Sequence, residues 1–490
     1  MSEKKKNILL ILSDQQRLDT ISAYQDSPAV HYTDHICRTP NIDRLAAEGM
    51  KFEQAFTSSA ICAPSRASIM TGLFAHNHGV IDNFTCIKDG IPVLGELMRD
   101  AGYTLGYAGK WHVDPVRTPE DMGFHGKPFM GYAFPGSQVF PSLIFNQPPD
   151  NKPNYYEEYL KEKGFSGIDV SEGFLGNNPA LQIQEMYCRH DGPVESTIEY
   201  FVAQEAMNEI DRAASADQPF FLWANFWGPH SPSIVPEPYF SMYDPAQIPE
   251  HPSYREDFAD KPYGYYLTEK MWGLGDYGWP GFADICAKYY GHCTFLDDMV
   301  GLIINKLKEK GLYEDTIIIY ASDHGDCLGA HKLIEKGCFA FEEIYHVPLV
   351  VKGLGKTDCS SFVYLHELMP SILELAGAAI PEHLDGRSLL PLMQGHVDSE
   401  PRTELFGEFH DHFYHTRQRL VHDHKYWLTF NESERGELYD LTKDPFQLHN
   451  VCYDPAYAAV KKEYMDKLGR WMRETKDPDQ VWFHRIKEYY

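Results

Sequence analysis

Positive charge is what this chain has least of. Lysine and arginine number 44 against 71 aspartates and glutamates, a formal net charge of −27. A phosphate-backbone partner needs the opposite balance, so nucleic-acid binding is excluded as the main activity. Any anionic ligand must be held by a local cationic site working against the global field. Long apolar runs are also missing, and no stretch approaches the roughly 20 residues of a membrane span, so no membrane partner is expected. The opening "MSEKKKNILLILSD" joins a basic start to a short apolar run. That run ends in Ser13-Asp14 without a small-residue cleavage site, which predicts a first β-strand rather than a signal peptide, and a cytoplasmic location. The ten cysteines show no C-x-x-C pair and no regular spacing. Reduced thiols in a cytoplasmic protein are the expectation. Internal repeats and low-complexity tracts do not occur.

What is present is a pattern of short aliphatic runs alternating with amphipathic ones. "NILLILSD" (7–14), "FFLWANF" (220–226), "TIIIYASDHGD" (316–326) and "VPLVVKG" (347–353) read as strands buried on both faces. Helices are predicted over 41–50, opened by Asn41, over 195–214, and over 283–311, closed by Gly311. This alternation implies an α/β fold with a large, mostly parallel sheet sandwiched by helices. The segment 115–190 is rich in Pro, Gly, Phe, Tyr and Asn with little periodicity, and reads as a loop-rich, pocket-forming insertion. After about residue 385 the pattern changes. "HKYWLTFN" (424–431) and "GELYDLTKDP" (436–445) predict a hairpin, and 457–475 a closing amphipathic helix. The expected division is a catalytic domain over 1–384 and an α+β subdomain with a short antiparallel sheet over 385–490.

In open α/β sheets, chemistry gathers at the carboxyl ends of strands. Two predicted strands end in acids: Asp14 closes the first, and Asp323-His324 closes "TIIIYASDH". Either aspartate alone reads as a turn cap. Together, two carboxylates and an imidazole make a divalent metal site. Cys62 precedes Pro64 at the mouth of a predicted helix, where free N–H groups and the dipole favour an anion.

"CAPSR" (62–66) followed by Thr71-Gly72 resembles the signature of the type I sulfatases, in the alkaline-phosphatase-like superfamily. The likeness continues in order through "GKWH" (109–112), "GPH" (228–230), "SDHG" (322–325) and "HKLIEKGCFAFEE" (331–343). It spans most of the chain. The resemblance implies that Cys62 is oxidised to Cα-formylglycine by a maturation enzyme, and that the aldehyde hydrate is the nucleophile. One hydroxyl of the hydrate attacks and the second releases the product. It further implies that Asp14, Gln15, Asp323, His324 and the modified Cys62 hold one divalent ion, Ca²⁺ first, with Mg²⁺ or Mn²⁺ as alternatives. Arg66 would orient the nucleophile and Lys110 and Lys336 would bind sulfate oxygens. His230 would act as general acid and His112 as general base, with Asn83 an added substrate contact. His76 and His78 are weaker candidates that line the pocket or cap a helix. The histidines of "GEFHDHFYHTRQR" (407–419) lack regular ligand spacing and read as a loop reaching toward the pocket.

The pattern departs from many sulfatases at Asp14-Gln15 and Asp323-His324, which resemble phosphonate monoester hydrolases and choline sulfatases. "GKWH" is retained where the phosphonate hydrolases have Tyr and Thr, which favours sulfate esters. The expected activity is therefore release of inorganic sulfate from a small-molecule or oligosaccharide sulfate, with a carbohydrate preferred. The aromatic segment 263–281 would offer stacking faces to a sugar or simply pack between lobes. The alternatives are a phosphonate or phosphate monoester hydrolase with the same nucleophile and, behind it, an inactive glycan-binding homologue. Homo-oligomerisation is left open.

Overall fold

The chain is seen in a computed structural model that describes residues 5–131, 155–165, 170–174, 186–274, 277–396, 400–412 and 414–490. Much of the predicted insertion 115–190 lies outside the described residues. At its centre is a seven-stranded sheet in the order 50–51, 349–352, 316–322, 7–14, 220–229, 104–110 and 125–129. Five strands, from Thr316–Ser322 to His125–Phe129, pair in parallel. Leu349–Lys352 runs antiparallel to its neighbours on both sides. The edge strand His125–Phe129 falls within the segment read as loop-rich, where "HGKPF" shows no β-branched pattern to announce it.

The first strand shows why the sheet is covered on both faces. Ile8, Leu10 and Leu12 are buried in one core, with residues of the helices Cys62–Thr71, Leu94–Asp100 and Leu368–Leu375. Leu9 and Ile11 are buried in the other, with Pro40–Glu48, Ile198–Ala214 and Trp279–Glu309. Side chains alternate across a strand, so a continuous aliphatic run fills two cores at once. Each fully buried aliphatic side chain contributes about 1.5–3 kcal/mol. The longest of these helices, Trp279–Glu309, is not apolar enough to cross a membrane, and no helix among the described residues is.

Helix starts differ from the sequence reading for local reasons. The first helix begins at Pro40 rather than at Asn41, with no side-chain cap from Thr39. Its free N–H groups at Asn41 and Ile42 are instead taken by the buried Asp297 carboxylate, at 2.9 and 2.8 Å. A cap supplied from another helix leaves no local motif. The helix expected at 195 starts at Ile198, where the Thr197 hydroxyl accepts from the Tyr200 N–H.

The C-terminal region carries a four-stranded antiparallel sheet of Leu405–Phe409, Gln418–His422, Tyr426–Asn431 and Glu437–Asp440. The predicted hairpin is its second half. The predicted closing helix is Ala458–Glu474. A third core binds this sheet to Leu333, Phe339 and Phe341 of the loop after Thr316–Ser322. The same sheet reaches the segment before Cys62, because the Glu408 N–H donates to the Ser58 carbonyl at 2.8 Å. The ten cysteines are all free thiols, and all but Cys86 are buried.

Candidate active site

The parallel strands deliver their last residues to one place. Asp14 ends Asn7–Asp14, Lys110 ends Thr104–Lys110, His230 follows Phe220–Pro229, and Asp323-His324 follow Thr316–Ser322. Cys62 opens the helix Cys62–Thr71, of which every residue is buried. One ligand atom from each of Asp14, Cys62, Asp323 and His324 lies within 4.8 Å of the others. The Cys62 sulfur is 3.1 Å from His324 Nε2 and 3.7 Å from Asp14 Oδ1.

Charge at this point is concentrated and fully buried. Arg66 donates from Nη2 to Asp14 at 2.9 Å and from Nε to Asp323 at 2.8 Å. Its Nη1 is fixed by the Asn225 side-chain oxygen at 3.1 Å. Lys110 Nζ lies 2.7 Å from Asp14 Oδ2 and 4.5 Å from the Trp227 ring centroid. Lys336 Nζ donates to Gln15 Oε1 at 2.5 Å, His230 Nε2 at 2.7 Å and Glu335 Oε2 at 3.0 Å.

These neighbours set the ionisation. Burial alone would raise the Cys62 thiol, but Lys336, Lys110 and His324, with a hydrogen bond from His112, hold it well below the ordinary thiol range. Position 62 is therefore a place that stabilises an anion. Burial pushes His324 down, yet Asp323 and Cys62 raise it to about 9. Burial and Cys62 push the Asp14 carboxyl up, and Lys110, His230 and Arg66 more than reverse this. Asp323 is raised by burial and then by Asp14. Two buried carboxylates, position 62 and the His324 imidazole, once it gives up its proton, form a donor set that a divalent cation fits. Oxygen donors suit Ca²⁺ or Mg²⁺, and the imidazole admits a softer ion.

Asp14, Cys62, Arg66, Lys110, His230, Asp323, His324 and Lys336 meet in this cluster, whereas Gln15 and Asn83 are occupied in ways the sequence did not indicate. Gln15 stands at φ 66. Its amide lies between Lys336 and Asp326, with Nε2 donating to Asp326 at 2.5 Å. Asn83 Oδ1 accepts the Ala63 N–H at 3.1 Å, so it caps the first turn of the Cys62 helix. His112 lies within hydrogen-bonding reach of Cys62, and burial holds it down at about 4. His76 and His78 turn away to structural partners: His76 Nδ1 to Glu408 at 2.8 Å, and His78 Nε2 to Ser68 at 3.0 Å. From the histidine-rich loop, His412 feels Lys336 and Cys62 and is held at about 3, first by burial.

Other contributors carried no signal of their own. Asn225 sits inside the apolar run "FFLWANF", where one polar residue in a buried strand is the only hint. Asp326, Ser231 and Trp227 become visible only through their contacts with Gln15, Glu335 and Lys110. Glu335 is an acid beside Lys336, a pattern met on any surface.

Two buried lysines beside a metal-type donor set, at the carboxyl ends of a parallel sheet, define a hydrolase of oxyanion esters with the alkaline-phosphatase-like fold. A family model described as sulfatase matches residues 6–378, and one described as N-sulphoglucosamine sulphohydrolase, C-terminal, matches residues 329–474. The chain belongs to the sulfatase family and is a sulfuric ester hydrolase. It is 28% identical to the uncharacterized sulfatase YidJ of Escherichia coli over 486 residues, covering 97% of this chain and 88% of that protein. It is 25% identical to an N-acetylglucosamine-6-O-sulfatase of Bacteroides thetaiotaomicron, over 97% of this chain and 88% of that protein. The solved phosphonate monoester hydrolase of Agrobacterium radiobacter superposes with a TM-score of 0.78 at 25% identity, covering 96% of each chain.

Proposed function

We propose that the enzyme releases inorganic sulfate from a sulfated carbohydrate, with Cys62 converted to formylglycine by a maturation enzyme and one divalent ion held by Asp14, Asp323, His324 and position 62, beside Gln15. Ca²⁺ is the first choice of ion, with Mg²⁺ or Mn²⁺ as alternatives. The observation that carries the reading is the pair Lys110 and Lys336. Both are buried beside Cys62 in a chain that is otherwise strongly acidic. When present, formylglycine supplies a hydrated aldehyde with one hydroxyl to attack sulfur and another to release it, and the ion polarises sulfate oxygens.

The chain's own groups have separable tasks. Lys110 and Lys336 hold sulfate oxygens in a water-poor site, where each charge counts for more than in solution. Arg66, fixed by Asp14, Asp323 and Asn225, keeps the carboxylates in place and faces the same pocket. His230 is the general acid toward the leaving alcohol, for which Nε2 must carry a proton and give up its contact with Lys336, while Nδ1 stays anchored on the Ser231 carbonyl. His112 takes a proton from position 62. Asn83, by capping the helix that starts there, fixes the backbone of that position.

The carbohydrate preference draws support from the relatives named for sugar sulfates. Specificity is placed in the insertion 115–190 and in the C-terminal unit 385–490, whose loop brings His412 toward Lys336. A second reading, phosphonate or phosphate monoester hydrolysis, is favoured by one observation. Asp14-Gln15 and Asp323-His324 share a cluster in a fold that superposes on a phosphonate hydrolase. The test is sulfate release from a panel of sulfated mono- and disaccharides, on protein whose Cys62 peptide has the aldehyde mass. One sugar turned over far faster than an aryl sulfate supports the proposal. Aryl sulfate hydrolysis with no sugar reacting would refute the carbohydrate assignment.

A further inference from the structure

Glu335 is a buried carboxylate in an anion-binding site, and that needs a reason. It is 4% exposed and touches Lys336, to which the proposed function gives the sulfate oxygens. It stands at φ 66, a left-handed conformation that costs a residue with a side chain about 1 kcal/mol or more. That backbone is held in place: the Glu335 N–H donates to Asp326 Oδ1 at 2.9 Å, and its carbonyl accepts from the Cys327 N–H at 3.0 Å. Its two carboxylate oxygens reach different members of the machinery. Oε2 accepts from Lys336 Nζ at 3.0 Å, and Oε1 accepts from the Ser231 hydroxyl. The Ser231 carbonyl in turn accepts from His230 Nδ1. Burial pushes the carboxyl up, but Lys336 and His230 more than offset this and hold it down at about 2, so it stays charged.

We propose that Glu335 is a specificity-determining and positioning residue that selects monoanionic esters over dianions. A fixed negative charge beside Lys336 repels whatever binds there, and the repulsion scales with the ligand's charge. A sulfate monoester carries one negative charge. Inorganic sulfate, the product, carries two, and so for the most part does a phosphate monoester near neutral pH, whose second pKa is about 6. Glu335 therefore penalises product and phosphate monoester about twice as heavily as the sulfate ester. It lets the product leave a pocket that holds two lysines, an arginine and a place for a divalent ion. By gripping Ser231 it also holds the residue whose carbonyl anchors His230 Nδ1.

The inference rests on the sulfatase assignment, which turnover of 4-nitrophenyl sulfate by the unaltered, metal-loaded, mature enzyme checks by itself. Glu335→Gln keeps the size and loses the charge. It is expected to lower the inhibition constant of inorganic sulfate about tenfold. The KM for 4-nitrophenyl sulfate should fall by much less. The kcat/KM ratio of 4-nitrophenyl phosphate to the sulfate should rise about threefold, the quotient of a tenfold gain for the dianion and a roughly threefold gain for the monoanion. Glu335→Asp, which keeps the charge but draws it back by one methylene, should lie between the two. Thermal midpoints confirm that both variants are folded. Equal changes in sulfate inhibition and in KM, weaker sulfate binding, or an unchanged phosphate-to-sulfate ratio would overturn the proposal and leave Glu335 a purely structural residue.

Discussion

Lys110 and His366 are both buried, and the structure predicts opposite consequences for their removal. Lys110 approaches Asp14 beside Cys62 in a site where Arg66 already partners the same carboxylate. Lys110→Met should therefore leave the fold largely intact while kcat/KM for a sulfate ester drops by about 10²–10³, the usual cost of one preorganised charge donor. Steady-state kinetics beside a melting curve separates the two effects. His366 is fully buried, with neither ring nitrogen hydrogen-bonded, stacked on Tyr364 at 4.6 Å and edge-on to Phe74 at 4.8 Å. Burial, aided by Arg402, holds it down at about 3. Its folded value lies below the ordinary value near 6.5, so below pH 6.5 the unfolded chain takes up the proton first. Stability is lost as pH falls from 6.5 toward 3. His366→Phe should gain about 2 kcal/mol relative to the unaltered protein at pH 5, over whatever difference the two show at pH 8. Urea unfolding at the two pH values measures it, and an equal difference at both would contradict it.

At the scale of elements, the site depends on how closely strands approach. Gly109 stands at φ 92 in the strand that ends in Lys110, and a methyl there would lie 1.9 Å from the Asn225 carbonyl oxygen. Gly109→Ala must force apart a pair of neighbouring strands, one carrying Lys110 and the other carrying Asn225, which fixes Arg66. A loss of about 3 kcal/mol or more is expected, with activity falling in parallel. Denaturant titration checks the first and kinetics the second. Elements of this kind were legible in the sequence because their signals are local. "NILLILSD" and "TIIIYASD" show strand and terminal acid in one stretch, and "CAPSR" carries its own signature. Contacts between distant segments were not legible. Asp297 caps a helix more than 250 residues away, and Gln15 is occupied by Lys336 and Asp326. Leu405–Phe409 and Gln418–His422 were hidden because charged and histidine residues lie inside a buried sheet. Glu408, for example, is fully buried against His76 and His410.

Across the whole molecule, the C-terminal sheet is tied to the catalytic core by buried charge as well as by apolar packing. Glu408 meets His76, next to the Cys62 helix, at 2.8 Å. Arg419, on the adjacent strand, pairs with Asp477 at 2.6 Å and Asp479 at 2.9 Å. His76, Glu408 and Asp477 lie close enough to hold a metal ion. Arg419 on Asp477 and His76 on Glu408 join segments distant in the chain, so the cluster reads as a lock. Arg419→Met leaves Asp477 buried without its partner and should cost about 3–5 kcal/mol, read as a shift in the urea midpoint. A change under about 1 kcal/mol would mean that the apolar core alone holds the sheet. The same connection brings His412 of the histidine-rich loop within electrostatic reach of Lys336 and Cys62.

Hydrolysis of sulfate monoesters at position 62 is separated from its alternatives by one comparison. The measurement is kcat/KM for matched aryl sulfate and aryl phosphonate monoesters, on metal-loaded protein with the aldehyde mass at Cys62 and on Cys62→Ala. Sulfate should be preferred, both activities should fall by about 10³-fold or more in Cys62→Ala, and the variant should still fold. A clear preference for the phosphonate, or sulfate turnover that survives the loss of Cys62, would contradict sulfate hydrolysis at position 62.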